Sequence, residues 1–110
     1  MPSEAESRRI RIRHAICTLI ASLFLAACVS APVQQMSDAR QAIQSAIEAG
    51  APRLAPGPLQ EAERLVEEAE AALAAHAYER ARLLAETARQ KAIAAREASL
   101  RLRHEMENPE

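Results

Sequence analysis

Apolar residues in this chain recur at intervals of three and four, the spacing that lines them along one side of a helix. Over 38–49 the line is Ala39, Ile43, Ala46 and Ile47, with Met36 just ahead of it. Ser37 is placed to cap such a helix, Asp38 suits the positive end of its dipole, and Gly50 with Pro52 ends it. The proline-rich stretch 51–57 reads as a connection. A second helix is expected over about 58–75, because Pro58 loses nothing there by lacking an N–H. Its seam is Leu59, Ala62, Val66, Ala69 and Leu73. A third, over about 78–105, puts Ala81, Leu84, Ala85, Ala88, Ala92 and Ala95 on one face. The fold expected is all-α, a short antiparallel three-helix bundle. The far half of the third helix, with Ile93, Leu100 and Leu102, should be covered by the first. His76-Ala77 contains no Gly, Asn or Pro, so the alternative to a hairpin is one continuous helix over 58–107, about 75 Å long. Such a rod could bury its seam only against another chain.

Composition thins this picture. Hydrophobic residues make up 49% of the 110-residue chain, but many are alanine, and the aromatic residues are Phe24 and Tyr78. Alanine favours helix because it loses no side-chain entropy there, yet it buries little area. A lean, helical, marginally stable domain is the expectation. Charge is divided between helices: Glu61, Glu63, Glu67, Glu68 and Glu70 crowd the second, while Arg80, Arg82, Arg89, Lys91, Arg96, Arg101 and Arg103 dominate the third. That division predicts attractive flanks between the two. The net charge of −1 argues against a nucleic-acid partner.

Residues 1–27 differ from the rest. A positive stretch over 8–14 (RRIRIRH) precedes an apolar run of thirteen residues over 15–27, with small residues at the junction. That is the layout of a secretory signal. The run is shorter than the roughly 20 residues a helix needs to span a bilayer. The junction Leu25-Ala26-Ala27-Cys28 closely resembles the lipobox of bacterial lipoproteins. The resemblance implies that Cys28 receives a diacylglycerol, that the signal is removed before it, and that the new amino terminus is acylated. An ordinary cleaved signal, for example cut after Ala31, and an uncleaved anchor are the alternatives. Two or more acyl chains hold a protein stably on a membrane. In bacteria with two membranes an Asp after the cysteine typically retains such a protein at the inner one. Val29 stands there, so the resemblance implies the outer membrane, on its periplasmic face. The expected organisation is a signal over 1–27, a lipidated tether over 28–36 that reaches about 30 Å at most, and an alanine-rich helical domain over 37–110. Cys17 lies in the discarded run, so Cys28 is left without a disulfide partner.

The remainder resembles a family of small bacterial lipoproteins known only as domain of unknown function 4398. The likeness is carried by Pro32-Val33-Gln34-Gln35-Met36-Ser37-Asp38-Ala39-Arg40-Gln41-Ala42-Ile43, the ending Gly50-Ala51, Ala55-Pro56 and Tyr78-Glu79-Arg80-Ala81. It implies a helical lipoprotein and no particular activity. Similar sequences usually carry Gly and a polar residue before the tyrosine, where this chain has His76-Ala77. Tyr78, Ala81 and Ala88 also fall at the spacing of a tetratricopeptide helix, but a solenoid needs about three units.

Little beyond 28 suggests chemistry. Asp38 is the single Asp, His76 and His104 lie 28 residues apart, and no ligand cluster accompanies either. A metal site needs three or four converging ligands, and nucleophile–base sets and phosphate loops are also missing. No metal, no cofactor beyond the lipid on Cys28, and no enzymatic activity are expected. Tyr78 reads first as a packing anchor for the turn. Arg96, Arg101, Arg103 and His104 form a basic end whose plain role is to complement the helix dipole. Its sharper role, and that of Tyr78, would be contact with a partner. The expectation is a structural or adaptor lipoprotein facing an envelope protein, with a peptidoglycan- or small-ligand-binding module as the alternative.

Overall fold

The computed structural model describes residues 3–27 and 31–109, and the chain divides into two compact units, Met1–Ser30 and Ala31–Glu110. Both are helical, with no strand among the described residues. The first unit is one helix, α1 (Glu4–Ala27). Ile10, Ile12, Ile16, Leu19 and Ile20 along it are exposed. None of the described helices is long and apolar enough to cross a membrane.

The second unit contains α2 (Val33–Glu48), α3 (Ala51–Leu54), α4 (Pro56–Ala74) and α5 (Tyr78–Glu107). The helix expected over 38–49 therefore begins five residues earlier, and 33–36 belong to it rather than to a tether. Pro32 stands at the N-cap, where its carbonyl accepts from the Met36 N–H (3.1 Å). Gln and Met are good helix formers, and extension brings Met36 to 2% exposure. Ser37 is consequently inside the helix and caps nothing.

Gly50 ends α2 as expected, in the left-handed region at φ 98 with its N–H donating to Ile47 O (3.0 Å). A Cβ there would meet Leu54 Cδ1 at 3.3 Å. The stretch 51–57 is not plain connection: Gly50 O accepts from Leu54 N (2.9 Å) and closes the single turn α3. α4 starts at Pro56 rather than Pro58, because both prolines fit in a first turn whose N–H groups have no intrahelical acceptor. α5 runs two residues beyond the expected 105.

His76-Ala77 is a turn, so α4 and α5 form a hairpin and not one rod. His76 takes φ 60, its N–H donates to Leu73 O (3.0 Å), and Ala77 N–H donates to Ala72 O (2.8 Å). This is the Schellman ending, with His where Gly is usual. A non-glycine residue in that conformation costs roughly 1–2 kcal/mol, part of which the contact of the His76 ring with Tyr78 (centroids 5.9 Å apart) offsets. His76→Gly is therefore expected to stabilise the protein by about 1 kcal/mol, read as a rise in thermal midpoint of roughly 4–8 °C. An unchanged or lower midpoint would mean that the ring contact outweighs the strain.

Two apolar clusters hold the unit together. Met36 and Ala39 of α2, Leu65, Val66 and Ala69 of α4, and Ala85 and Ala88 of α5 make the first. Ala46, Ala51, Ala55, Leu59 and Ala95 make the second, and Ile43 packs against both. The clusters show the directions: α4 runs opposite to α5, with Leu59 near Ala95 and Val66 near Ala88, while α2 runs alongside α5. α5 carries a seam of small residues, Ala81, Ala85, Ala88, Ala92, Ala95 and Ser99, each with no exposed surface. Ser99 satisfies its buried hydroxyl by donating to Ala95 O (2.8 Å).

Three expectations about faces need correcting. Ile47 is 38% exposed, and Leu73 is only half-buried while Leu65 and Ala72 are buried in its place. Leu100 and Leu102 are not covered by α2: they are 38% and 39% exposed, because α2 ends at Glu48, level with the Ala95–Ser99 region of α5. Nor do α4 and α5 exchange ion pairs. Arg64 of α4 pairs with Glu61 (2.8 Å) and Glu68, and Arg82 of α5 pairs with Glu79 and Glu86 (3.0 Å), all within one helix. The interhelical pair among the described residues is Arg40 of α2 with Glu70 of α4 (2.7 Å). Side chains three and four apart on one helix meet without any adjustment of packing, so local partners capture these guanidinium groups first.

Candidate functional site

The residues singled out for the anchor end α1. Leu25, Ala26 and Ala27 are its last three residues, and Cys28 lies outside the described residues. Cys17, on the same helix, is a free, exposed thiol.

Tyr78 is the first residue of α5 and is 36% exposed, its ring tilted at 49° to that of His76. This places it at the turn, one end of the unit. The basic residues Arg96, Arg101 and Arg103 lie toward the other end and do not converge. Successive helical residues are 100° apart, so Arg101 faces away from Arg103. Arg103 borders a depression of about 450 Å³ with Arg53 and the acids Glu48 and Glu107. Arg96 borders a different groove, of about 380 Å³, between α2 and α5. The single basic end expected from composition is thus split over separate surfaces.

The α2–α5 groove brings together residues that were not grouped in advance. Arg89 and Arg96 form its α5 rim, Asp38, Gln41 and Ser45 its α2 rim, and half-buried Ala42 and Ile93 lie between. Arg89 was missed as a site residue. The signal that could have found it is the seven-residue recurrence Arg82, Arg89, Arg96, Arg103. Of these, Arg82 is engaged in its own helix, whereas Arg89 and Arg96 are in none of the ion pairs among the described residues. Asp38 accepts from the neutral amide of Gln34 (2.8 Å), so its charge is also uncompensated.

Elsewhere the strongest electrostatic contacts are local, with Lys91 of α5 adding a weaker attraction to Glu61 of α4 across the hairpin. The Arg64 guanidinium hydrogen-bonds Glu61 (Nε to Oε2, 3.0 Å) and holds that carboxyl below its ordinary range, and Arg82 does the same to Glu79. The two arginines are correspondingly held protonated. The spacing Glu-x-x-Arg-x-x-x-Glu is the same in both helices, 61–68 and 79–86, so the two clasps are equivalent devices. No three His, Cys, Asp or Glu side chains converge among the described residues.

The family model for the domain of unknown function 4398 matches residues 34–108. The chain belongs to that family. No curated protein and no solved structure matches it. The matched residues begin in α2 and run to the end of α5, so the family domain is essentially the second unit, and α1 lies outside it.

Proposed function

We propose that this member of the family is a lipid-anchored, non-catalytic adaptor of the bacterial envelope. In this reading α1 is a signal removed before Cys28, and acyl chains on Cys28 hold the protein on the periplasmic face of the outer membrane. The family domain, a short antiparallel three-helix bundle, is presented from that surface to another envelope protein. The anchor rests on the order of basic stretch, apolar run and Leu25-Ala26-Ala27-Cys28. With helix starting at Val33, only residues 29–32 separate Cys28 from the domain, a reach of about 14 Å at most. The domain would therefore work close against the lipid.

The observation that carries the adaptor role is the exposed apolar surface of α5. Leu102 and Met106, four residues apart and so on one side of α5, lie where every residue from 100 to the helix end at Glu107 is exposed, and Leu100 is exposed on another side. Side chains of this kind on a regular helix offer a partner area to bury. The expected result of mild crosslinking in cells, followed by capture of the tagged chain, is the same envelope protein in repeated experiments. Recovery of the chain alone, with no reproducible crosslink, overturns the adaptor role.

A further inference from the structure

We propose that the groove between α2 and α5 is the docking site for an acidic amphipathic helix of the partner protein, which completes the domain as a fourth helix. The proposal rests on the adaptor reading and names the surface and the partner's chemistry. Its basis is the combination of an open groove with rims of unlike character. On one rim Arg89 and Arg96 are exposed, seven residues apart, and in none of the ion pairs among the described residues. The equivalent Arg82, one heptad earlier, is already held by Glu79 and Glu86. On the other rim stand Asp38, Gln41 and Ser45, and between the rims lie Ile93 and Ala42, both half-buried.

Seven residues of helix advance about 10 Å. A partner helix laid in the groove presents its own residues at the same interval, so carboxylates one heptad apart would reach Arg89 and Arg96 together. This is the flank pairing of coiled coils. Its apolar residues would then sit on Ile93 and Ala42, the helix-in-groove mode of recognition. The cationic rim selects acids over bases on that flank, since like charges placed together are unfavourable. A second copy of this chain is a poor occupant. Glu63 and Glu70 of α4 are exposed and one heptad apart, but Glu70 is already paired with Arg40 of its own chain (2.7 Å), and the apolar stripe of α4, with Leu59, Leu65 and Val66, is buried in the core.

The test uses the full chain in lipid nanodiscs and two synthetic three-heptad amphipathic peptides with the same apolar stripe, one flanked by Glu and the other by Lys. The Glu peptide is expected to bind at least tenfold more tightly than the Lys peptide at low salt, with the preference shrinking as salt rises. In the double variant Arg89→Glu/Arg96→Glu the preference should reverse. Because both arginines are exposed, circular dichroism and thermal midpoint serve as the control that the variant is folded. Equal affinity for the two peptides, no binding of either, or a preference that survives the charge reversal overturns the proposal. So does an acidic glycan that binds more tightly than the Glu peptide and loses binding in the same variant. The adaptor reading is separable. If cellular crosslinking returns a partner but the crosslinks avoid 38–45 and 89–96, the groove is wrong and the adaptor stands.

Discussion

Ala88→Leu is expected to destabilise the family domain by about 1–3 kcal/mol, which is most of the net stability that a core of this size supplies, roughly 3–5 kcal/mol. Ala88 has no exposed surface and lies among Met36, Ala39, Leu65, Val66 and Ala69 of the two neighbouring helices. Every buried residue of α5 is Ala or Ser, with half-buried Leu84 packing at the edge of this cluster, so the helix axes approach over side chains with a single heavy atom or two. A leucine at the centre of that seam has no space to occupy. It would have to push α5 away from α2 and α4 and loosen both clusters. A change of this size lowers the thermal midpoint of a small domain by something like 10 °C. Ala94→Leu is the control: Ala94 is exposed on the same helix, and leucine and alanine differ little in helix propensity. If Ala88→Leu melted with Ala94→Leu and the wild type, the three helices would not be packed through the small seam.

Cys28→Ser is expected to abolish incorporation of a palmitate analogue and to leave the chain at its precursor mass. The thioether to diacylglycerol requires a sulfur nucleophile, and the hydroxyl of serine is far less reactive. Each buried CH₂ of an acyl chain contributes about 0.8 kcal/mol, so loss of the chains removes the energy that makes attachment lasting. Mass and label are the decisive readouts. An uncleaved α1, with Ile10, Ile16 and Leu19 exposed beside Arg9 and Arg13, could keep the precursor at a membrane surface without any lipid. Cys17→Ser supplies the internal comparison, because Cys17 is an exposed thiol on α1. Label retained in Cys28→Ser and lost in Cys17→Ser would remove the anchor from Cys28.

Much of the helical content was legible in advance because periodic apolar spacing and punctuation by Gly50, Pro56 and Pro58 are local signals. The errors were local as well. Ser37 offered a cap, but Pro32 five residues earlier permits the helix to start sooner, and burial of Met36 favours that longer form. The one-turn α3 was hidden because four residues carry too little periodicity to read. His76 lacked the usual turn chemistry, yet the helix must reverse for the seam of α4 to find a partner in its own chain, and tertiary burial compensates for the strain.

The candidate site was less readable than the fold. Arg96, Arg101 and Arg103 look like one basic group when only their closeness along the chain is considered. Rotation of 100° per residue sets Arg101 on the opposite side of α5, and Arg96 and Arg103, on one side but seven residues apart, border different depressions. Arg89 belongs with Arg96 in the groove because α2 runs alongside α5 there, and that neighbour is 44 or more residues away in the chain. Division of charge between α4 and α5 also suggested pairing across the hairpin, whereas partners three and four residues distant were nearer.

By itself, then, the amino-acid sequence determined that the chain is helical, where two of its helices end, and that a basic stretch, an apolar run and Leu25-Ala26-Ala27-Cys28 stand together at one end. These depend on backbone propensity and residue order, which act within a few positions. Tertiary structure decided which side chains are buried, that His76 reverses the chain, which arginines go unpaired and which of them share a groove. Those properties depend on distances between segments remote in sequence, and such distances exist only once the helices have packed.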